Sequence, residues 1–477
     1  MFAVRRGFKR VNTLNLRRAA GLASGVMMAA SNLYPELAPI QLVALIPLFY
    51  IAAEYGSNWR AMVDVGIYAG LGYTIPQAVA LLLPIPLTGE LILRMTITFV
   101  VLALGSGVFM RRSAVAGAVA IGALLTVLDW VNISVFSIWG TAQSLGRPWS
   151  SYPFAIQFVS VTGGTGIVFI LAVLQALLVI ALVRAKLRRR CFACVLVLLI
   201  IVITLNLAVS RLSESGKLTV AAIGWTDSQA KKVKGELSQQ GFEALFSVPA
   251  AQAASQGAKL VASPELAFAY SFGDFDKWVD RFRDVASRNG IYLAVGYLDI
   301  PTKEDKLLFV SPEGKILGQY TKTHLTPFED FDRGNGLPTT VDINGFKAGG
   351  MICHDDNFTD LSRRYGRVHS QIVVVPTLDW KQVKSAHLQS SIHHSIECRY
   401  AILRAAKDGI SAIIAPTGEV LAKMDHYKDG PGFIVAEVPL CSQVTLFSRF
   451  GHWPVPAAAI YLIVYGVLLR SKPRVGT

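Results

Sequence analysis

Eight apolar runs constrain this chain more than any other feature. They cover roughly residues 19–35, 39–54, 61–84, 90–110, 113–137, 160–183, 191–210 and 454–470. A helix that crosses a bilayer needs about 17 to 25 largely apolar residues, and only the second run falls short of that. The prolines of "YPELAP" predict a turn before it, and the first two runs are expected to pair as a tilted hairpin. Charged residues make up 16% of the 477, against about a quarter in an ordinary soluble chain. Mean hydropathy is +0.45. The expectation is a multi-pass α-helical membrane domain of about eight transmembrane helices.

The net charge of +14 does not point to nucleic acid, because of where the charges sit. Six basic residues precede the first run. Arg60, Arg111, Arg112 and the group Arg184, Lys186, Arg188, Arg189, Arg190 follow every second run. Arg147 is the main exception. This alternation places the N-terminus in the cytoplasm and residues after 211 outside. The eighth crossing returns the C-terminus to the cytoplasm, where "RSKPR" lies. The basic start is read as a tail rather than the n-region of a signal peptide, because apolar segments keep coming.

Five cysteines leave at least one thiol unpaired. Cys191 and Cys194 form a CxxC inside an apolar run without partners at zinc spacing, and are read as small residues of a membrane helix. No metal is expected. His387, His393 and His394 lack convincing ligand spacing.

Between the seventh and eighth runs the composition changes. From 216 to 440, β-rich runs recur: "LTVAAIGW", "AKLVASPEL", "IYLAVGYL", "KLLFVSPEGKILGQY", "FKAGGMIC", "SQIVVVPT", "GISAIIAPTGEVLAKM" and "GPGFIVAEVPL". "FDKWVDRFRDVASRNG" reads as a helix ended by a capping glycine. "SPEGKI" and "APTGEV" read as hairpin turns. Such a mixture predicts a layered α/β fold. The expected division is a basic cytoplasmic tail at 1–18, a membrane domain of about seven helices at 19–211, a catalytic domain at 216–440, a connector at 441–453, a last membrane helix at 454–470 and a cytoplasmic tail at 471–477.

Three stretches of that domain place reactive side chains at strand ends, where α/β folds build active sites. "ASPELAF" carries Glu265, "YTKTHLTPFED" carries Lys322, and "GGMICHDD" carries Cys353. A thiol is a nucleophile only as thiolate, and its ordinary pKa is about 8.5. A carboxylate can take its proton, and an ammonium can stabilise the thiolate and then an oxyanion. The backbone N–H of His354 can complete the oxyanion hole. The trio suits acyl transfer through a thioester.

In this order and spacing the three stretches resemble the Glu-Lys-Cys triad of the nitrilase superfamily. With the membrane helices around them, the chain resembles the apolipoprotein N-acyltransferase family, the membrane-bound branch of that superfamily. "GRPWSSYPFAIQFVSVTGGTGIVF", "RYAILRAAKDGISAIIAPTGEVLAKM" and "TLFSRFGHWP" extend the likeness along the chain. The resemblance implies an extracytoplasmic αββα nitrilase-like domain in the bacterial inner membrane, on the periplasmic side. It implies that Cys353 takes an acyl chain from a phospholipid and passes it to the α-amino group of a diacylglyceryl-cysteine at a lipoprotein N-terminus, in a ping-pong sequence. Glu265 would be base in both halves and Lys322 would hold the oxyanion. It implies no cofactor, and a monomer is expected.

The sequence departs from the family in two places. Where the family has Gly-Glu after Pro-Phe, this chain has Glu329-Asp330. By alignment Asp330 stands for a second functional glutamate, unless Glu329 swings in. Where the family has Cys-Tyr-Glu, this chain has Cys353, His354 and Asp355. These shortened acids favour a second reading, a membrane-anchored nitrilase-type amidase or an acyltransferase with another acceptor. A scaffold without catalysis is a third, opposed by the intact trio. Trp225 and Trp380 either line the acyl pocket or fill space. His324 is expected to fix its loop or touch substrate. Arg94 is expected to pair with Glu90 at the outer interface or to contact a lipid headgroup. "AFAYSFGDF", after Glu265, is either a lid or an ordinary loop.

Overall fold

The computed structural model describes residues 2–136, 138–235, 237–270 and 274–471. Ser271, Phe272 and Gly273, the middle of the candidate lid, lie outside the described residues, as do residues 472–477 of the C-terminal tail.

Every apolar run falls on helix. The helices are Phe2–Leu33, Ile46–Tyr55, Trp59–Leu81, Ile85–Arg112, Ala114–Trp130, Thr165–Val183, Arg188–Val209 and Pro454–Ser471. The first begins at Phe2, so much of the expected basic tail is helical and continuous with the first run. Among the described residues, five helical stretches are long and apolar enough to cross a membrane: Pro35–Tyr55, Ile85–Arg111, Ala114–Val135, Thr165–Val183 and Ala185–Val209. Together with helix Trp59–Leu81 they share one core through Phe49, Met62, Tyr73, Phe99, Ile121 and Val179. Helices come close where side chains are missing. A Cβ on Gly25 would overlap the Ala69 carbonyl, and one on Gly66 would meet the Val100 backbone. Small residues at such crossings let backbones touch, as in membrane bundles. Outward, Phe192, Leu196, Ile200, Ile203 and Leu207 are exposed. Water disfavours so continuous an apolar face, and lipid does not. These features are consistent with a membrane domain.

The second half is an αββα sandwich. One sheet contains β1 (Glu214–Gly224), β2 (Leu260–Ala262), β3 (Phe268–Tyr270), β4 (Tyr292–Asp299), β5 (Glu304–Val310) and β6 (Ile316–Thr321). The other contains β7 (Thr340–Ile343), β8 (Phe346–Gly350), β9 (Ile372–Leu378), β10 (Ala401–Lys407), β11 (Ile410–Ile414) and β12 (Val420–Asp425). The last strand, β13 (Gly432–Cys441), returns to the first sheet beside β1. The orders are β13-β1-β2-β4-β5-β6, with β3 on β4, and β12-β11-β10-β9-β8-β7.

Alternation along the strands separates two cores. Val220, Ala222, Ala294, Leu307 and Phe309 point at the second sheet, against Ile372, Val374 and Ile402. Their neighbours Ala221, Ile223, Leu293, Leu308 and Val310 point at outer helices carrying Phe242, Phe246 and Phe282. Helix Phe275–Asn289 ends on Gly290 at φ 62°, in the left-handed conformation that glycine adopts without steric cost. On the other outer face, helices Thr359–Arg367 and Lys384–Cys398 cover the second sheet.

The two halves share a core. Ile156, Phe158, Val159, Ile167 and Leu171 join the same buried cluster as the inter-sheet residues. Polar bonds add register. The Gly164 N–H donates to Glu397 at 2.8 Å, and the Arg399 guanidinium donates to the Gln157 side chain at 2.6 Å.

Candidate active site

Strand direction brings the reactive residues to one end. β1, β2 and β4 are parallel, and β6 runs the same way after two antiparallel steps. β8, β9 and β10 are parallel in the other sheet. Trp225, just after β1, bridges in parallel to Lys407 at the end of β10, so the carboxyl ends of both sheets coincide. Glu265 follows β2, Lys322 follows β6, Cys353 follows β8, and Leu378 ends β9.

The structure brings Glu265, Lys322 and Cys353 together. Lys322 Nζ donates to Glu265 Oε1 at 2.6 Å and to Glu329 Oε1 at 2.7 Å. A third carboxylate, Asp305 on β5, lies 3.5 Å from the same nitrogen. Glu265 Oε2 accepts from the Leu378 N–H at 2.5 Å. The Cys353 thiol donates to the Leu378 carbonyl at 3.5 Å. Both members of the Lys322–Glu265 pair are fully buried.

Three acids around one ammonium leave excess negative charge in a dry place. Burial works against the Lys322 charge, but Glu265 foremost, with its neighbours, outweighs it and holds the lysine well above its ordinary range. Burial, then Glu265, push the Asp305 carboxyl well above its ordinary range, with Lys322 opposing them. Burial and Glu265 also raise the Cys353 thiol well above its ordinary value, although Lys322 opposes them. Cys353 therefore rests as a thiol, and attack by its sulfur would need a base to take the proton.

The backbone at Cys353 is strained, with φ +46° on a non-glycine residue. Two networks hold it. Behind it, His387 Nε2 meets the Cys353 carbonyl at 2.9 Å, His387 Nδ1 meets Asp379 at 2.6 Å, and Asp379 accepts from Arg404 at 2.8 Å. Beside it, Asp355 accepts from the Ile352 N–H, the Tyr320 hydroxyl, the His324 N–H and His324 Nδ1 at 3.1, 2.9, 2.7 and 2.9 Å. Asp355 thus ties the cysteine turn to the loop that carries Lys322 and Glu329. The glycines before Cys353 make room for packing: a Cβ on Gly349 would strike the Tyr365 ring at 2.5 Å.

Cys353 and Glu329 open onto a cavity of about 570 Å³, within the usual size of a ligand site. The catalytic domain supplies His354, Trp380 and His387 to its wall. The helical half supplies Leu33, Leu81, Leu83, Leu91 and Met95, with Trp139 and Arg147 from the loops between helices. Glu265 and Lys322 lie behind Cys353.

The remaining expected residues divide. Glu329, not Asp330, stands beside Lys322. Asp330 is fully exposed and contacts Lys303 at 3.5 Å. The alignment position is corrected by loop geometry, because the turn after Pro327 aims the earlier acid inward. Trp380 borders the cavity, 6.0 Å from Trp139. Trp225 does not: it is buried among Phe242, Phe246 and their neighbours. His354 borders the cavity, with Nε2 donating to the Ile138 carbonyl at 3.0 Å. Burial holds its pKa down to about 3, so the ring is neutral. His324 faces Asp355 and Asp360 and stacks on Phe358 at 4.1 Å, behind the site. Burial opposes its charge, but the two carboxylates outweigh burial and raise it to about 9. Arg94 pairs with Glu90 at 2.5 Å.

Sequence reading missed Asp305, Asp379, His387 as a support, and Arg404. The only signal for them was a charged residue inside or directly after a buried strand, as in "PTLDW". Cys353, Asp379 and His387 have ligand-type atoms within 4.8 Å of one another. Both ring nitrogens of His387 are already committed, to Asp379 and to the Cys353 carbonyl. His393 and His394 lie apart, bonded to Ser150 at 3.2 Å and Glu397 at 2.9 Å.

Residues 225–444 match the carbon-nitrogen hydrolase family. An apolipoprotein N-acyltransferase of Geobacter metallireducens is 24% identical over 94% of this chain and 94% of its own length. Apolipoprotein N-acyltransferase 2 of Treponema denticola is 22% identical over 71% of this chain and 76% of its own. A solved amidase from Nesterenkonia sp. is 21% identical over 47% of this chain and 91% of its own, with a TM-score of 0.38. Over residues 225–444 the chain is therefore similar to carbon-nitrogen hydrolases, and over nearly its whole length it is similar to apolipoprotein N-acyltransferases.

Proposed function

We propose that this protein is a phospholipid-dependent apolipoprotein N-acyltransferase. Cys353 is its nucleophile, Glu265 its base and Lys322 its oxyanion partner. In the first half-reaction Glu265 takes the thiol proton as sulfur attacks the ester carbonyl of a phospholipid. The sulfur–carbon bond forms, the ester carbon–oxygen bond breaks, and Glu265 returns the proton to the leaving alkoxide of the lysophospholipid. In the second, the amine of a diacylglyceryl-cysteine attacks the thioester and Glu265 accepts its proton. The carbon–nitrogen bond of the amide forms, the carbon–sulfur bond breaks, and Glu265 returns the proton to the Cys353 sulfur. Lys322 and the His354 N–H, free at the first turn of its short helix, face the oxyanion in both halves.

One observation carries this reading above a soluble-amide hydrolase: the cavity in front of Cys353 is walled on its far side by apolar helices of the first half. A small polar amide has no use for such a wall, whereas an acyl chain does. The same reading takes eight crossings, the catalytic domain on the periplasmic side, both termini cytoplasmic, residence in the bacterial inner membrane and a monomer. The alternation of basic loops supports that topology.

The test uses purified protein, phosphatidylglycerol and a diacylated lipopeptide, read by mass. One added acyl chain on the peptide amine is expected, with lysophospholipid formed in equal amount. Cys353→Ser is expected to lose transfer. Release of fatty acid or ammonia without peptide acylation would instead identify an amidase.

A further inference from the structure

Arg147 is the basic residue that broke the alternation of charges, and the chemistry above does not use it. It opens the short turn Arg147–Ser151 between two helical runs and is 6% exposed. Nη2 donates to the carbonyl and side-chain oxygens of Asn32, at 2.9 and 3.1 Å. Nε is buried with no partner. Among the described residues no carboxylate forms an ion pair with it, whereas Arg94 nearby has Glu90. Burial lowers its pKa, but only to about 10, so it is a cation at neutral pH.

A buried guanidinium without an anion is costly unless neutral acceptors take up its donors, and here Nε is left without one. This one borders the same cavity as Cys353. The neutral polar groups Asn32, Gln77 and Gln143 lie on that wall, and the apolar residues Leu81, Leu91 and Met95 continue it. The anion that fits such a wall belongs to an amphiphile. We propose that Arg147 binds the phosphodiester of the glycerophospholipid acyl donor, an inference that rests on the proposed function. Guanidinium and phosphate pair through two parallel hydrogen bonds, and Nε is one of the unused donors. Of the two lipids in the reaction only the donor carries a phosphate. Arg147 therefore serves the loading of Cys353 and not the transfer to the amine.

The experiment separates the two halves in full-length protein in detergent micelles. Loading of Cys353 is followed by intact mass with two donors, dipalmitoylphosphatidylglycerol and the phosphate-free ester p-nitrophenyl palmitate. Preloaded enzyme is then mixed with a diacylated lipopeptide in a single turnover. Arg147→Met is expected to raise KM for phosphatidylglycerol roughly 10- to 100-fold. It should leave loading from p-nitrophenyl palmitate and transfer to the peptide unchanged. Arg147→Lys should recover part of the loss. Glycerophosphoglycerol should compete with loading of the wild type more strongly than inorganic phosphate does. An R147M enzyme with wild-type KM for phosphatidylglycerol overturns the inference alone, and so does equal loss with both donors, which marks a structural role. Equal competition by inorganic phosphate marks a free-phosphate site and also overturns it. A wild type that loads from p-nitrophenyl palmitate but never from phospholipid overturns the proposed function as well.

Discussion

At the scale of single residues, the decisive choice is between neighbouring acids. Glu329 and Asp330 are adjacent, yet one reaches Lys322 at 2.7 Å and the other is fully exposed. Motif alignment counts residues, but the loop backbone decides which carboxylate faces inward. Glu329→Gln removes one of the two close anions that orient the Lys322 ammonium, and should slow loading of Cys353 on the order of 100-fold. Asp330→Asn touches a solvent-screened contact and should stay within about twofold. Burst amplitudes and rates of acyl-enzyme formation give both numbers. The reverse ranking would return Asp330 to the site and refute the geometry.

At the scale of elements, two loops must be held in register. The loop after β6 carries Lys322 and Glu329, and the turn after β8 carries Cys353. Asp355 and His324 join them, and Asp360 backs His324 at 3.4 Å. The sign of the pH effect follows from His324, whose folded pKa is raised from 6.5 to about 9. Its stabilisation is fully present below about 6.5 and is lost as pH rises through about 9. The thermal midpoint of the wild type should therefore fall between pH 7 and 10 by more than that of His324→Gln. Parallel curves would show that His324 is neutral in the fold. Part of this region is legible in the sequence. Glu265, Lys322 and Cys353 each end a β-like run, and strand ends are short-range features. The tie between loops is not legible, because Asp355 gathers groups from Tyr320, His324 and Ile352 only once two sheets are stacked. Asp305 and Arg404 are hidden for the same reason, as charged residues inside apolar strands. Trp225 stayed open between pocket and core, because burial in a core and burial in a pocket look alike along one chain.

At the scale of the molecule, the eight apolar runs announced the helices and the β-rich runs announced a layered α/β domain, but not that the two halves share a core. Arg399 shows how far that fusion goes. It is 2% exposed and sits beyond helix Lys384–Cys398 with φ 59°. Its guanidinium donates to the Gln157 side chain at 2.6 Å, to the Val209 carbonyl at 2.8 Å and to the Pro416 carbonyl at 3.0 Å. Gln157 and Val209 belong to the helical half, and Pro416 to the catalytic one. Arg399→Met keeps the bulk but strands several buried acceptors, each costing about 1 to 3 kcal/mol if water cannot reach it. Two consequences follow from the shared core. The variant should lose on the order of 3 kcal/mol, and the loss should appear in both halves at once. Tryptophan fluorescence in detergent, with proteolysis sites mapped across the transition, separates the outcomes. Melting of the catalytic domain at a lowered temperature while the helices keep their wild-type midpoint would mean that the halves are merely tethered. A common lowered midpoint would mean that the cavity exists only where both halves are folded, since Cys353 borders it from one side and Leu81 and Leu91 from the other.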